Sequence, residues 1–477
     1  MKFRVGRDAL GEAVAFVSRA LPSRPVVPLL SGILLAAAEQ TLTLSCFDYE
    51  VSARVRVDAD VSEQGTALVP GRLLAEMTRS LPARPVEFDA DADVVSLTCG
   101  RAEFGLVCLP VQDYPALPVS PEVVGVVDGG VLASAVAQVV PAASRDDTLP
   151  MLTAVCLDLS GEVLTLVATD RYRLAASEVP FTPVRPAVRA VVLVPARILA
   201  EAARTLVPGV PVTLAFDTDH DERGDPGGQA TGTGTGAGSG TGTGSGTGAG
   251  SGEYQPRPAE GLISFESADR RLTARLIAGE YIKYRARFPG EFGCRAEMPA
   301  APLIEAVRRA SLVAERAGPV RLSFRPDQVV IEAHAEGRAR AAETVAAHFR
   351  GDQPVISFNP HYLLDGLTAA AAAEPPRPAR SATAPPEHGS SAEHGGPAEH
   401  DGPAGGTGAA TSAEADEPGR IRLEFTTPAK PALITWAGSE PGSGPASDSG
   451  ADPEAGDGAV APAFRYLVVP LRFPERG

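Results

Sequence analysis

Two kinds of apolar pattern alternate along the chain. In the first, apolar side chains recur at i, i+3 and i+4, which places them on one face of an amphipathic helix. It occurs at Leu10, Ala13 and Val14, at Leu132, Ala135 and Val136, and at Leu303, Ala306 and Val307. The same spacing predicts helices in VPGRLLAEMTRSL from Val69, in VPARILAEAARTL from Val194 and, in a weaker copy, in FNPHYLLDGLTAA from Phe358. Each of these has a proline near its predicted start, where the missing N–H costs nothing. The second pattern is two-residue alternation, as in GILLAAAEQTLTLSCFDYEVSARVRV, AVCLDLSGEVLTLVATDRYRLAASEV and GPVRLSFRPDQVVIEAHA. Turn residues such as Ser160-Gly161 and Pro326-Asp327 interrupt it. This pattern predicts antiparallel strands.

The two helix families keep step. Copies of the first lie 122 and then 171 residues apart, and copies of the second 125 and then 164. A tract from about 217 to 260, containing ATGTGTGAGSGTGTGSGTGAGSG, falls inside both longer intervals. Without it, one unit of about 120 residues used three times accounts for all four spacings. Each unit reads helix, strands, helix, strands, an α+β unit with two helices packed on antiparallel sheet. Two further tracts, about 371–418 and 438–461, share the Gly-, Ala- and Pro-rich composition of segments that bury too little apolar surface to fold. They are expected to be flexible insertions in surface loops. The expected domains are 1–120, 128–289 with the first insertion, and 290–477 with the other two.

Composition narrows the function. The formal net charge of −16 argues against a protein that coats DNA by overall attraction. It leaves room for basic residues gathered on one surface. Five cysteines without Cys-x-x-Cys spacing fit buried thiols in a reducing cytoplasm. Neither an N-terminal signal segment nor a membrane-length apolar run is read. No phosphate-binding loop, G-x-S-x-G or H-E-x-x-H motif is present, and neither catalysis nor a cofactor is expected. His388, His394 and His400, six residues apart, are at most a loose metal-binding tract.

Six strings in order, SRPVVPLLSGILL, CFDYEVSARV, FGLVCLPVQDYPALP, ATDRYRLA, GEYIKYRARFP and YLVVPLR, resemble the beta subunit of bacterial DNA polymerase III, the beta sliding clamp. The resemblance covers essentially all of the chain outside the tracts. It implies three similar clamp domains per chain and a head-to-tail homodimer, a six-domain ring around duplex DNA that tethers the polymerase III alpha subunit, the clamp loader and other clamp-motif proteins. It also implies a non-catalytic processivity factor in the cytoplasm, associated with the nucleoid. A diverged paralogue with a repair, inhibitor-tolerance or regulatory role is the alternative.

Residue by residue, the resemblance and the repeat place Arg24, Arg72, Arg79, Arg197 and Arg204 toward DNA phosphates, with Arg7, Arg19, Arg145, Arg308, Arg309 and Arg316 as further helix-borne candidates. Contacts of this kind position DNA without reading its sequence. The resemblance implies a partner-peptide cleft of Leu152, Thr169, Arg171, Tyr172, Arg173, Leu174, Ile282, Tyr284 and Arg285, completed by Leu467, Val468, Val469, Pro470, Leu471 and Arg472, with Arg287 at its margin. Phe104, Leu106 and Leu312 are implied at the dimer interface. Pro150, Met151, Arg171, Arg287, Val469 and Ser311 depart from the family pattern, which puts the DNA contact, peptide specificity and ring strength at those points in question.

Overall fold

The computed structural model describes residues 1–91, 93–217, 261–314, 318–335, 338–373, 419–437 and 464–471. The expected insertions lie almost wholly outside these residues, as do Arg316, His388, His394, His400 and Arg472. The six predicted helices form: α1 Arg7–Ser18, α2 Gly71–Ser80, α3 Gly129–Val139, α4 Ala196–Ala203, α5 Ala300–Val313 and α6 Pro360–Ala371. The nine apolar positions that predicted α1, α3 and α5 are all buried. Asp128 caps α3 by accepting from the Val131 N–H at 2.9 Å, and Asn359 caps α6. Pro360 takes the first helical turn, whereas Pro70 and Pro195 are the N-cap residues of α2 and α4.

Each repeat runs strand, helix, four strands, helix, three strands, with short extra strands in the second and third. The pattern analysis missed the strand before the first helix: Lys2–Val5, Val123–Asp128 and Cys294–Pro299. Lys2–Val5 and Cys294–Pro299 do alternate, with Phe3, Val5, Cys294, Ala296 and Met298 buried, so the signal was available there; Val123–Asp128, nearly all apolar, carries none.

The repeats join edge to edge. Strand Val51–Glu63 of the first pairs with Arg270–Arg275 of the second, Val51 opposite Ala274 and Val55 opposite Arg270. Strand Arg173–Pro180 of the second pairs in the same way with Phe464–Val468 of the third, Arg173 opposite Val468 and Ser177 opposite Phe464. After the last strand of each repeat, one backbone N–H donates 2.8 Å to the strand that precedes the repeat's second helix. These bonds are Leu109 to Leu68, Ile277 to Leu193 and Leu471 to Ser357. Helix contacts follow the same order, α2, α1, α4, α3, α6, α5, with α1 and α4 meeting across a shared cavity.

Candidate peptide cleft and nucleic-acid face

The turn at Thr169–Arg173 is built by its own side chains. Asp170 Oδ1 accepts from the Tyr172 and Arg173 N–H groups, both at 3.0 Å, and Thr169 Oγ1 donates to the Arg173 carbonyl at 2.6 Å. Arg171 is thereby held at φ +79°. The first repeat makes the same turn: Asp48 accepts from the Glu50 and Val51 N–H groups, and Tyr49 sits at φ +73°. An aspartate whose side chain caps its own turn is the shared local cause.

Arg173 then reaches across the joint. Its Nε lies 2.9 Å from Asp170, its Nη1 bonds Asp365 of α6, and its guanidinium stacks over Tyr362, 4.4 Å from the ring centroid. Burial works against the Arg173 charge, but Tyr466, Asp365 and Asp170 outweigh it and hold the side chain firmly protonated. Tyr172 stacks on Tyr362, and its carbonyl accepts from the Val469 N–H at 2.9 Å. Sequence reasoning had missed Tyr362 and Asp365; the signal was available in YLLD, within the weakest copy of the second helix motif.

On the other face of the same sheet, a separate apolar cluster brings together Leu174, Leu467, Tyr284 and Ile282 with Ile277, Tyr281, Phe288 and Phe292. The last six residues belong to the connector between the second and third repeats. Tyr284 donates to Asp158 at 2.6 Å, and Arg285 reaches the same carboxylate at 2.9 Å. Burial, then the bond to Asp158, pushes the Tyr284 phenol well above its ordinary range. The structure thus unites most of the expected cleft residues around one joint. Thr169, Leu174, Leu467, Val468 and Pro470 are buried in its walls, Leu152 and Val469 are partly exposed, and Arg171, Tyr172 and Arg287 are at the surface.

The arginines divide by what already holds them. Arg19, Arg24 and Arg197 line a cavity of about 440 Å³ between the first and second repeats, floored by Phe16, Ile198 and Leu272. They and Arg145 have no ion pair among the described residues. Arg72 donates to the Pro22 and Ser23 carbonyls at 3.0 and 3.1 Å and so anchors the loop that carries Arg24. Arg79 donates to its own helix at Ala75, Arg204 pairs with Glu201, Arg7 with Asp8, Arg308 with Glu305, and Arg309 with Glu343. Of the expected interface residues, Leu312 is 82% exposed and Phe104 half-buried. Leu106 is fully buried in the first repeat's own core, so its side chain supports the edge strand from within.

Three α+β repeats joined edge to edge through equivalent strands, with one repeat edge left open at each end among the described residues, define a clamp-type chain. The comparisons agree over the whole chain. Family models for the DNA polymerase III beta subunit match the N-terminal domain at residues 1–118, the central domain at 126–283 and the C-terminal domain at 285–374. A Streptomyces coelicolor protein named beta sliding clamp is 42% identical over 99% of both chains. A Streptomyces muensis protein named beta sliding clamp homolog GriR is 39% identical over 77% of this chain and 88% of its own. Among solved structures, the Bacillus subtilis DNA polymerase sliding clamp matches with a TM-score of 0.71 at 21% identity, covering 99% of this chain and 100% of that one. A Pseudomonas aeruginosa sliding clamp bound to griselimycin has the same TM-score, identity and coverage. The chain belongs to the DNA polymerase III beta subunit family, the beta sliding clamps.

Proposed function

We propose that this clamp closes head to tail with a second copy into a ring around duplex DNA, and that it tethers the polymerase III alpha subunit, the clamp loader and other partners by short peptides bound beside the Thr169–Arg173 turn. It acts as a non-catalytic processivity factor. The observation that carries this is the pair of open edges. Among the described residues, strand Ala102–Val107 bonds only to Val94–Cys99, and Ala339–Ala346 only to Gln328–Ala335. By position in the repeat, Ala102–Val107 corresponds to Arg270–Arg275 and Phe464–Val468. Ala339–Ala346 corresponds to Val51–Glu63 and Arg173–Pro180. Pairing the two between chains repeats the internal joint and leaves neither edge exposed. Leu312 and Phe104 then lie at the chain-to-chain joint, with Leu106 behind it.

Arg19, Arg24, Arg145 and Arg197 are the cations available to phosphate, with Arg72 positioning Arg24. Arg79 and Arg204 contribute once their intrachain bonds open. Such backbone contacts permit sliding because they carry no sequence information. The experiment is retention on nicked circular DNA after loading: the ring stays until the circle is linearised, and equal loss from circular and linear DNA rejects the reading. For the cleft, a fluorescent Gln- and Leu-rich clamp-motif peptide should lose binding when Tyr172→Ala is combined with Arg171→Glu, in a variant that keeps the parent's circular dichroism. Unchanged affinity would place the peptide elsewhere.

A second reading, a specialised clamp homologue outside chromosomal replication, is favoured by Arg171, a charged side chain on a left-handed backbone at the cleft's surface. Failure to raise polymerase processivity despite ring formation would select it.

A further inference from the structure

Each second helix carries an acidic residue seven positions after the start of its motif: Glu76 after Val69, Glu201 after Val194 and Asp365 after Phe358. At the two internal joints this residue faces the preceding repeat. Asp365 bonds Arg173, whose guanidinium also bonds Asp170 of its own repeat. Glu201 lines the cavity shared with Phe16 and Arg19 of α1. Glu76 has no such neighbour within the chain: α2 ends the order of helix contacts, and Glu76 is exposed with no ion pair among the described residues.

The opposite end of that order is α5. Leu10, Ala13 and Val14 of α1 correspond to Leu303, Ala306 and Val307, so Phe16 corresponds to Arg309 and Arg19 to Leu312. Arg309 therefore takes the place of Phe16, which lines the same cavity as Glu201 at the internal joint. Its Nε and Nη2 bond Glu343 of the open edge strand at 2.8 and 2.7 Å, while Nη1 comes only within 3.6 Å of Glu305. A planar guanidinium has five N–H donors, so this fork can serve a further carboxylate. On the other side, Leu73 is 42% exposed one turn before Glu76 and corresponds to Ile198, which is buried at the internal joint.

We propose that Glu76 of one chain bonds Arg309 of a second copy, with Leu73 against Leu312 beside it. Arg309 is then shared between Glu343 of its own repeat and Glu76 of the next, as Arg173 is shared between Asp170 and Asp365. This rests on the head-to-tail ring reading and adds to it a charged centre for the chain-to-chain joint. Such a centre sets partner orientation, because two identical edges brought together would oppose like charges.

Charge reversal with complementation tests it, read by sedimentation of the full chain. E76R alone and R309E alone should each raise the dimer dissociation constant at least about thirtyfold. Their equimolar mixture should return to dimer, since one joint then carries both reversed charges and the other both native ones. Single variants that dimerise like the parent overturn the pair. So does a mixture that stays monomeric while both variants keep the parent's circular dichroism. If R309E does not fold, R309M replaces it: E76A must weaken the parent dimer and leave the R309M dimer unchanged, and an equal effect in both overturns the pair. A parent chain that is monomeric at every concentration overturns the ring reading itself.

Discussion

Replacing Arg173 with methionine tests what holds the second and third repeats together. The Arg173 side chain is 10% exposed, between Asp170 at 11% and Asp365 at 41%. Methionine keeps most of the aliphatic stem's packing and removes the charge. Deleting one partner of a buried ion pair costs about 3–5 kcal/mol, because the other charge is left uncompensated. Here only Asp170 is trapped in that way, since Asp365 can turn to water. Loss of the stacking on Tyr362 adds about 0.5–1 kcal/mol. The expected destabilisation is therefore about 3 kcal/mol, at the low end of that range. The sole tryptophan, Trp436, ends strand Ala432–Trp436, which lies beside Phe464–Val468 in the joint sheet. Its fluorescence during urea unfolding thus reports on the third repeat. Combined with D365N, the change should show a coupling of about 1 kcal/mol, as expected for residues in direct contact. The reasoning is refuted if R173M costs less than about 1 kcal/mol, or if D365N has the same effect in the variant as in the parent.

Three other outcomes follow from the same geometry. Arg171→Gly removes the left-handed strain at φ +79° and should raise stability by about 0.5–1 kcal/mol, the gain being trimmed by glycine's greater freedom in the unfolded chain; an unchanged or lowered urea midpoint contradicts this. Gly366→Ala would gain about 1 kcal/mol in an ordinary helix, but its Cβ would fall 2.4 Å from Cδ1 of the buried Tyr466, so a net loss of about 2 kcal/mol is expected in the same assay. Of the five cysteines, Cys108 alone is not buried, while burial pushes the Cys46 thiol up to about 12 and the Cys156 thiol higher still. A thiol reagent at pH 8 should therefore label one site in the native chain and five after denaturation, with peptide mapping to confirm Cys108.

Sequence patterning alone determined the threefold repeat and the six helices with their buried faces. The helices depend on residues within a few positions of one another, where periodicity acts directly, and the repeat is the recurrence of those local patterns at a fixed spacing. Only the tertiary structure decided what those elements do to each other. That Arg173 binds Asp365 depends on strand Arg173–Pro180 meeting Phe464–Val468, nearly three hundred residues away in sequence. That Arg72 anchors the loop of Arg24, while Arg197 at the equivalent position lines an open cavity, depends on which loop packs against each helix. The burial of Leu106 and the exposure of Leu312 were equally hidden, since alternation along a strand or helix marks one face as apolar without saying what covers it. The open edges at the two ends of the row of repeats belong to the same class: a strand's own residues define its ladder, and only the assembled sheet shows which side of that ladder still lacks a partner.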